Sequence, residues 1–107
     1  MTDASQADLF RAVTAGYEAM ALIGCTAGGM DTVHRGFHPT SVYGAFGAAT
    51  ACIALHAYSS GKPVERDAIV AAWGHALSQA CASMQFSVEP TGGEVKRVHA
   101  ALARAMA

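Results

Sequence analysis

Residues 39–58 read PTSVYGAFGAATACIALHAY, and this stretch decides the fold class. Proline opens the stretch at a position where a helix tolerates a missing amide hydrogen, and two hydroxyl residues follow that can cap unpaired backbone donors. Alanine, which has the highest helix propensity, recurs through the remainder. Glycine pairs with alanine at i to i+4, Gly44 with Ala48 and Gly47 with Ala51, which gives a flat face of small residues. We therefore predict a helix that packs closely against a neighbouring helix.

The residues that follow predict two more helices. Residues 59–63, SSGKP, form a break with glycine near a helix end and proline near the next helix start. A third helix is predicted to run from this break to about Phe86, followed by turn residues 87–93 and a fourth helix from Glu94 to the end. The predicted core stripe of the third helix is Ile69, Val70, Trp73, Leu77, Cys81 and Met84.

The residues that precede the central stretch predict a first helix and a loop. The helix is expected to begin near Thr2 to Ser5, because Ser5 and Asp8 have the spacing of a capping box. It is expected to end within residues 24–29, which contain three glycines. The residues from Met30 to His38 are predicted to form a polar loop. The predicted core stripe of the first helix is Phe10, Val13, Tyr17, Met20 and Ala21.

Composition agrees with an all-α fold of about four helices. The chain has 107 residues, enough for one small domain, and we treat residues 1–107 as a single helical unit. Hydrophobic residues make up 52% of the chain and aromatic residues only 7%, so the predicted core consists of small side chains. The formal net charge of -1 argues against binding to nucleic acid, which usually requires a basic surface.

The remaining composition predicts a cytoplasmic protein. Cys25, Cys52 and Cys81 are odd in number and lie in alanine-rich stretches, so we predict buried thiols in a reducing compartment. The first residues lack the basic start and apolar run of a signal peptide. Residues 41–58 carry no formal charge, but few of them are the residues that insert strongly into a membrane. We therefore expect no interaction with a membrane.

Two predicted helix starts combine unpaired backbone amides with an ionisable side chain. The first start carries His38, and the second carries Lys96 with His99 one turn further along. The positive end of a helix is a natural site for a carboxylate or phosphate, and histidine can transfer protons near neutral pH. The alternative is that these side chains are solvated or cap their own helices. His34 and His38 are four residues apart, as zinc-binding histidines on a helix are. No metal is expected, because Gly36 and Pro39 would interrupt such a helix.

Several motifs resemble those of one protein family. Residues 36–49, GFHPTSVYGAFGAA, are similar to the most distinctive motif of the MmgE/PrpD family, which includes 2-methylcitrate dehydratase and cis-aconitate decarboxylase. The segments AGYE at 15–18, ALSQA at 76–80, MQF at 84–86 and KRVH at 96–99 follow the family's order. The resemblance therefore extends over almost the whole chain.

The resemblance implies a lyase, either a hydro-lyase or a decarboxylase, that uses no metal and no organic cofactor. It places His38 and Lys96 at the active site, with His38 as the acid/base and Lys96 bound to a carboxylate of a small di- or tricarboxylate. Thr40, Ser41 and His99 are then expected to make supporting substrate contacts. A histidine for proton transfer and a lysine for charge neutralisation suit either reaction.

Departures from the family pattern imply a piece of the helical domain. Complete members are several times longer, with further helices before this region and a smaller α+β domain after it. The family's upstream active-site segment, which carries aspartate and histidine, has no counterpart in these residues. We therefore expect the isolated chain to be inactive and to require a partner chain or a homo-oligomer. The alternatives are a non-catalytic helical remnant that associates with itself or with a partner, and a helical bundle that resembles the family by coincidence.

Overall fold

The chain forms α-helices joined by short connections in a computed structural model, which describes residues 3–80, 83–88, 97–99 and 101–102. Within the described residues, the α-helices are α1 (Gln6–Thr26), α2 (Met30–His34), α3 (Pro39–Ser59) and α4 (Arg66–Gln79), and a 3₁₀ helix spans Met84–Ser87. Residues 97–99 and 101–102 are also helical, within the predicted fourth helix. The all-α fold class is confirmed.

Helix α1 begins with the predicted capping box. The amide of Asp8 donates to the Ser5 hydroxyl at 3.1 Å, and the amide of Ser5 donates to the Asp8 carboxylate at 3.2 Å. These bonds satisfy backbone donors that the first turn would otherwise leave unpaired. The hydroxyl and amide of Ser5 also hold the pKa of Asp8 below its usual value, because both donate to the charged carboxylate.

Helices α1 and α3 lie antiparallel and pack through glycine. The Arg11 guanidinium near the start of α1 lies 4.1 Å from the ring centroid of Tyr58, near the end of α3. Midway along, a Cβ atom on Gly16 would lie 2.6 Å from the Gly47 carbonyl oxygen, and one on Gly47 would lie 2.8 Å from the Gly16 oxygen. The close packing predicted for the small-residue face is therefore confirmed at Gly47.

The predicted core stripe of α1 is wrong. The buried residues of this helix are small ones, Ala12, Gly16 and Ala19, whereas Phe10 is 65% exposed and Tyr17 is 67% exposed. The helix turns its small side chains inward because only they fit between axes that approach so closely. Periodicity alone does not distinguish the two faces, since both carry apolar residues at helical spacing.

Helix α4 packs on the other side of α3 through one tryptophan. The indole Nε1 of Trp73 donates to the Thr50 hydroxyl at 2.8 Å, and its ring meets Phe46 edge-on with centroids 6.1 Å apart. Phe46 is buried together with Ala45 and Ala76. The stripe predicted for this helix is wrong in part, because Val70 and Leu77 are exposed while the smaller Ala76 faces the core.

Helix α4 ends at Gln79, earlier than the predicted Phe86. Ala80 is extended, and the chain then returns to pair with the residues that precede α3. Ser83 forms an antiparallel bridge with Phe37, and the Met84 amide donates to the Gly36 carbonyl at 2.7 Å. These non-local backbone hydrogen bonds compete with continuation of the helix, which explains its early end.

The predicted loop before α3 contains the short helix α2. Its Thr32 is buried, and the Thr32 and Tyr43 hydroxyls hydrogen-bond to each other, which fixes α2 against α3.

The prediction of buried thiols is wrong for Cys25 and Cys52, both exposed, because the close helix contacts use smaller residues. Cys81 lies outside the described residues. No helix in the described part of the chain is long and apolar enough to cross a membrane.

Candidate active site at the start of α3

His38 occupies the N-cap position of α3. The two residues before it are hydrogen-bonded to α2 and to the segment that follows α4. The His38 side chain is only 6% exposed, and it makes no hydrogen bond to the amides of its own helix. The preceding residue, Phe37, donates its amide to the Thr32 carbonyl at 3.0 Å, and Gly36 accepts from Met84. Gly36 has a φ of 89°, a backbone conformation that favours glycine. The turn that precedes His38 therefore depends on glycine at this position.

His38 lies in hydrogen-bond contact with His99, which is 61 residues away in the chain. The two Nδ1 atoms are 3.1 Å apart, and the ring centroids are 5.3 Å apart with an angle of 45° between the planes. His99 is half-buried and belongs to the helical residues 97–99. The structure thus brings together two of the five residues that the sequence assigned to the site.

Ser41 lies one helical turn after His38 and therefore near the same face of α3. It is buried, and its Oγ has no hydrogen-bond partner among the residues that the structure describes. A buried hydroxyl without a partner costs about 1–3 kcal/mol, which a polar ligand could recover. The expectation that Thr40 and Ser41 cap the helix is wrong, because the N-cap is His38 and α3 has no side-chain cap.

The other predicted site residues lie apart from this pair or outside the described part. Thr40 is exposed and lines a groove of about 320 Å³ between α1 and α3. Lys96 lies outside the described residues, so its predicted convergence with His38 remains a prediction. His56 and His75 are exposed on their helices. The other residues that line the groove are Val13, Gly16, Tyr17, Met20, Gly44, Gly47, Ala48 and Ala51.

The electrostatics at this end of α3 favour an anion. A helix of 21 residues directs the positive end of its dipole towards His38, and its first turn contains no acidic side chain. A carboxylate here would meet a helix end as well as imidazole and hydroxyl groups. Among the residues with described positions, no three potential ligands form a group that could hold a metal ion. The arrangement is suited to binding a carboxylate and moving a proton beside it.

Comparison with known proteins identifies the family. The model of the MmgE/PrpD N-terminal domain matches residues 1–107. The chain belongs to the MmgE/PrpD family. No curated protein and no solved structure gives a significant match. The family match covers both histidines of the pair and the predicted Lys96, and it agrees with the resemblance found in the motifs at 36–49 and 96–99.

Sequence reasoning named His99 only as a supporting substrate contact and missed its contact with His38. Two histidines 61 residues apart give no local signal of proximity. The signal that the sequence does offer is a second histidine, His99, near the predicted start of the fourth helix. The bridge between Phe37 and Ser83 shows how the segment after α4 returns to the start of α3.

Proposed function

We propose that the chain forms part of a cofactor-independent lyase that acts on small hydroxy- or unsaturated tricarboxylates, similar to 2-methylcitrate dehydratase. The observation that carries this proposal is a buried histidine at the positive end of a long helix, in contact with a second histidine. Membership of the MmgE/PrpD family supports the same reaction class. The activity is assigned to this end of α3 rather than to the apolar groove.

The proposed chemistry divides between His38 and its surroundings. Dehydration removes a proton from the carbon next to a carboxylate and releases a hydroxyl, whereas decarboxylation holds a carboxylate and protonates carbon. His38 transfers the proton in either case, because imidazole exchanges protons near neutral pH. Ser41 and the first turn of α3 hold a substrate carboxylate, and Lys96 is proposed to neutralise another.

We further propose that the chain acts with another chain that completes the site. The described residues offer two imidazoles, one hydroxyl and the first turn of α3, and even with Lys96 these are few groups for a substrate with three negative charges. The partner is either a second copy of this chain or a chain that supplies the remaining family elements. The proposed setting is the cytoplasm.

A second candidate function is a non-catalytic helical module that associates with itself. The observation in its favour is the apolar face of α1, where Phe10 and Tyr17 are largely exposed beside the groove. Exposed apolar patches of this kind often mark contacts with other proteins. The two candidates differ in whether neighbouring open reading frames encode the other helices and the α+β domain of the family.

Turnover measurements test the lyase proposal directly. The purified chain is mixed with 2-methylcitrate or cis-aconitate, alone and together with the products of neighbouring reading frames, and the unsaturated acid or carbon dioxide is followed. We expect no turnover by the chain alone and measurable turnover by the mixture. His38→Ala should then reduce the rate by about 10²- to 10⁴-fold, the usual contribution of a general acid or base.

His56→Ala is the matched control, since His56 lies on the same helix and is exposed. This variant should keep the activity of the mixture. Equal losses in the two variants, or an unchanged rate in His38→Ala, would contradict the assignment of His38. Turnover by the chain alone that His38→Ala abolishes would contradict the need for a partner and support the site.

A further inference from the structure

We infer that His99 is a positioning residue that fixes the tautomer of His38, with the Nδ1–H of His38 donating to Nδ1 of His99. The direction of this hydrogen bond rests on the function proposed for His38, whereas the contact between the two rings rests on their geometry. The two nitrogen atoms are 3.1 Å apart, which is a hydrogen-bond distance.

The distance restricts where the hydrogen can lie. Two Nδ1–H groups pointing at each other would clash, and two unprotonated Nδ1 atoms would set lone pairs against each other. A single hydrogen between the atoms gives a favourable contact. When both rings are neutral, the two histidines must therefore carry opposite tautomers, one protonated at Nδ1 and the other at Nε2.

The direction of the hydrogen bond follows from the role proposed for His38. If His38 donates through Nδ1, its Nε2 holds a lone pair and can accept a proton from substrate. The resulting imidazolium keeps its Nδ1–H bond to His99, so the contact persists as the proton arrives. If His38 instead accepted at Nδ1, its Nε2 would already carry hydrogen and could not act as a base.

Burial makes this constraint effective. His38 is 6% exposed, so water has little access to replace a lost partner at its ring. His99 is half-buried, and its backbone belongs to a different helical segment from α3. An acceptor on a separate element can fix the orientation of an imidazole, as a carboxylate does in many hydrolase sites.

Nitrogen-15 NMR of the imidazole rings in the full chain tests the inference without any need for turnover. The spectra are recorded at about pH 9, well above the ordinary histidine pKa of about 6.5, to observe neutral imidazole. We expect His38 to show the Nδ1–H tautomer and His99 the Nε2–H tautomer. Identical tautomers in the two residues, or the reverse assignment, would overturn the inference.

Two variants separate a positioning role from a merely structural one. His99→Asn keeps an acceptor oxygen close to the position of Nδ1, whereas His99→Ala removes it. We expect His38 to retain the Nδ1–H tautomer in His99→Asn and to lose it in His99→Ala, with the circular dichroism of both variants unchanged. Retention of the tautomer in His99→Ala would overturn the inference. If the tautomers are as expected but mixtures show no lyase activity, the proposed function fails and the pairing stands.

Discussion

Replacement of Gly16 by alanine should lower the free energy of unfolding by about 2 kcal/mol. The new Cβ would lie 2.6 Å from the Gly47 carbonyl oxygen and 3.0 Å from Ala51 Cβ, closer than unstrained contacts allow. Overpacking of this kind costs about 1–3 kcal/mol, and the high end applies because a backbone carbonyl cannot move aside easily. The gain in helix propensity of about 1 kcal/mol offsets only part of this cost. Urea unfolding followed by circular dichroism measures the change.

Gly74→Ala is the matched control, since Gly74 also lies inside a helix. A Cβ atom at Gly74 would meet nothing within 4 Å, so only the propensity gain applies. This variant should be more stable than the wild-type chain by about 1 kcal/mol. Similar effects at Gly16 and Gly74 would contradict the close approach of α1 to α3.

Replacement of Phe46 by alanine should lower the free energy of unfolding by about 3–5 kcal/mol. Phe46 is 8% exposed and forms the centre of the contact between α3 and α4, where Trp73 meets its ring edge-on. Loss of a buried phenylalanine removes both transfer free energy and packing contacts. Thermal unfolding at low protein concentration measures the effect.

Phe10→Ala provides the comparison that tests the orientation of α1. Phe10 is 65% exposed, so its removal should change the free energy of unfolding by less than about 1 kcal/mol. A large loss in Phe10→Ala with a small loss in Phe46→Ala would restore the sequence-based stripe and contradict the described packing.

Helix positions followed from local sequence signals, while helix orientations did not. The capping box at Ser5 and proline at 39 predicted where α1 and α3 begin, because these signals act through adjacent backbone groups. The inward face of α1 was predicted wrongly because volume, rather than hydrophobicity alone, selects the residues at a close helix contact. The end of α4 was also missed, since it depends on pairing between Ser83 and Phe37.

The residues of the site were also predictable from local sequence signals, whereas the contacts between them were not. His38 stood out because it precedes a helix start, and its family motif covers the same residues. Its contact with His99 required the chain to return after α4, which no local pattern specifies. Ser41 was named as a substrate contact, but its burial without a partner in the described part of the chain depends on tertiary packing.

The measurement that tests the central claim most directly is an NMR titration of the isotope-labelled chain with citrate, a stable tricarboxylate. We predict saturable shift changes at His38, Ser41 and the first turn of α3, lost in His38→Ala and kept in His56→Ala. An absence of saturable changes, or changes confined to the groove between α1 and α3, would contradict a carboxylate site at the start of α3.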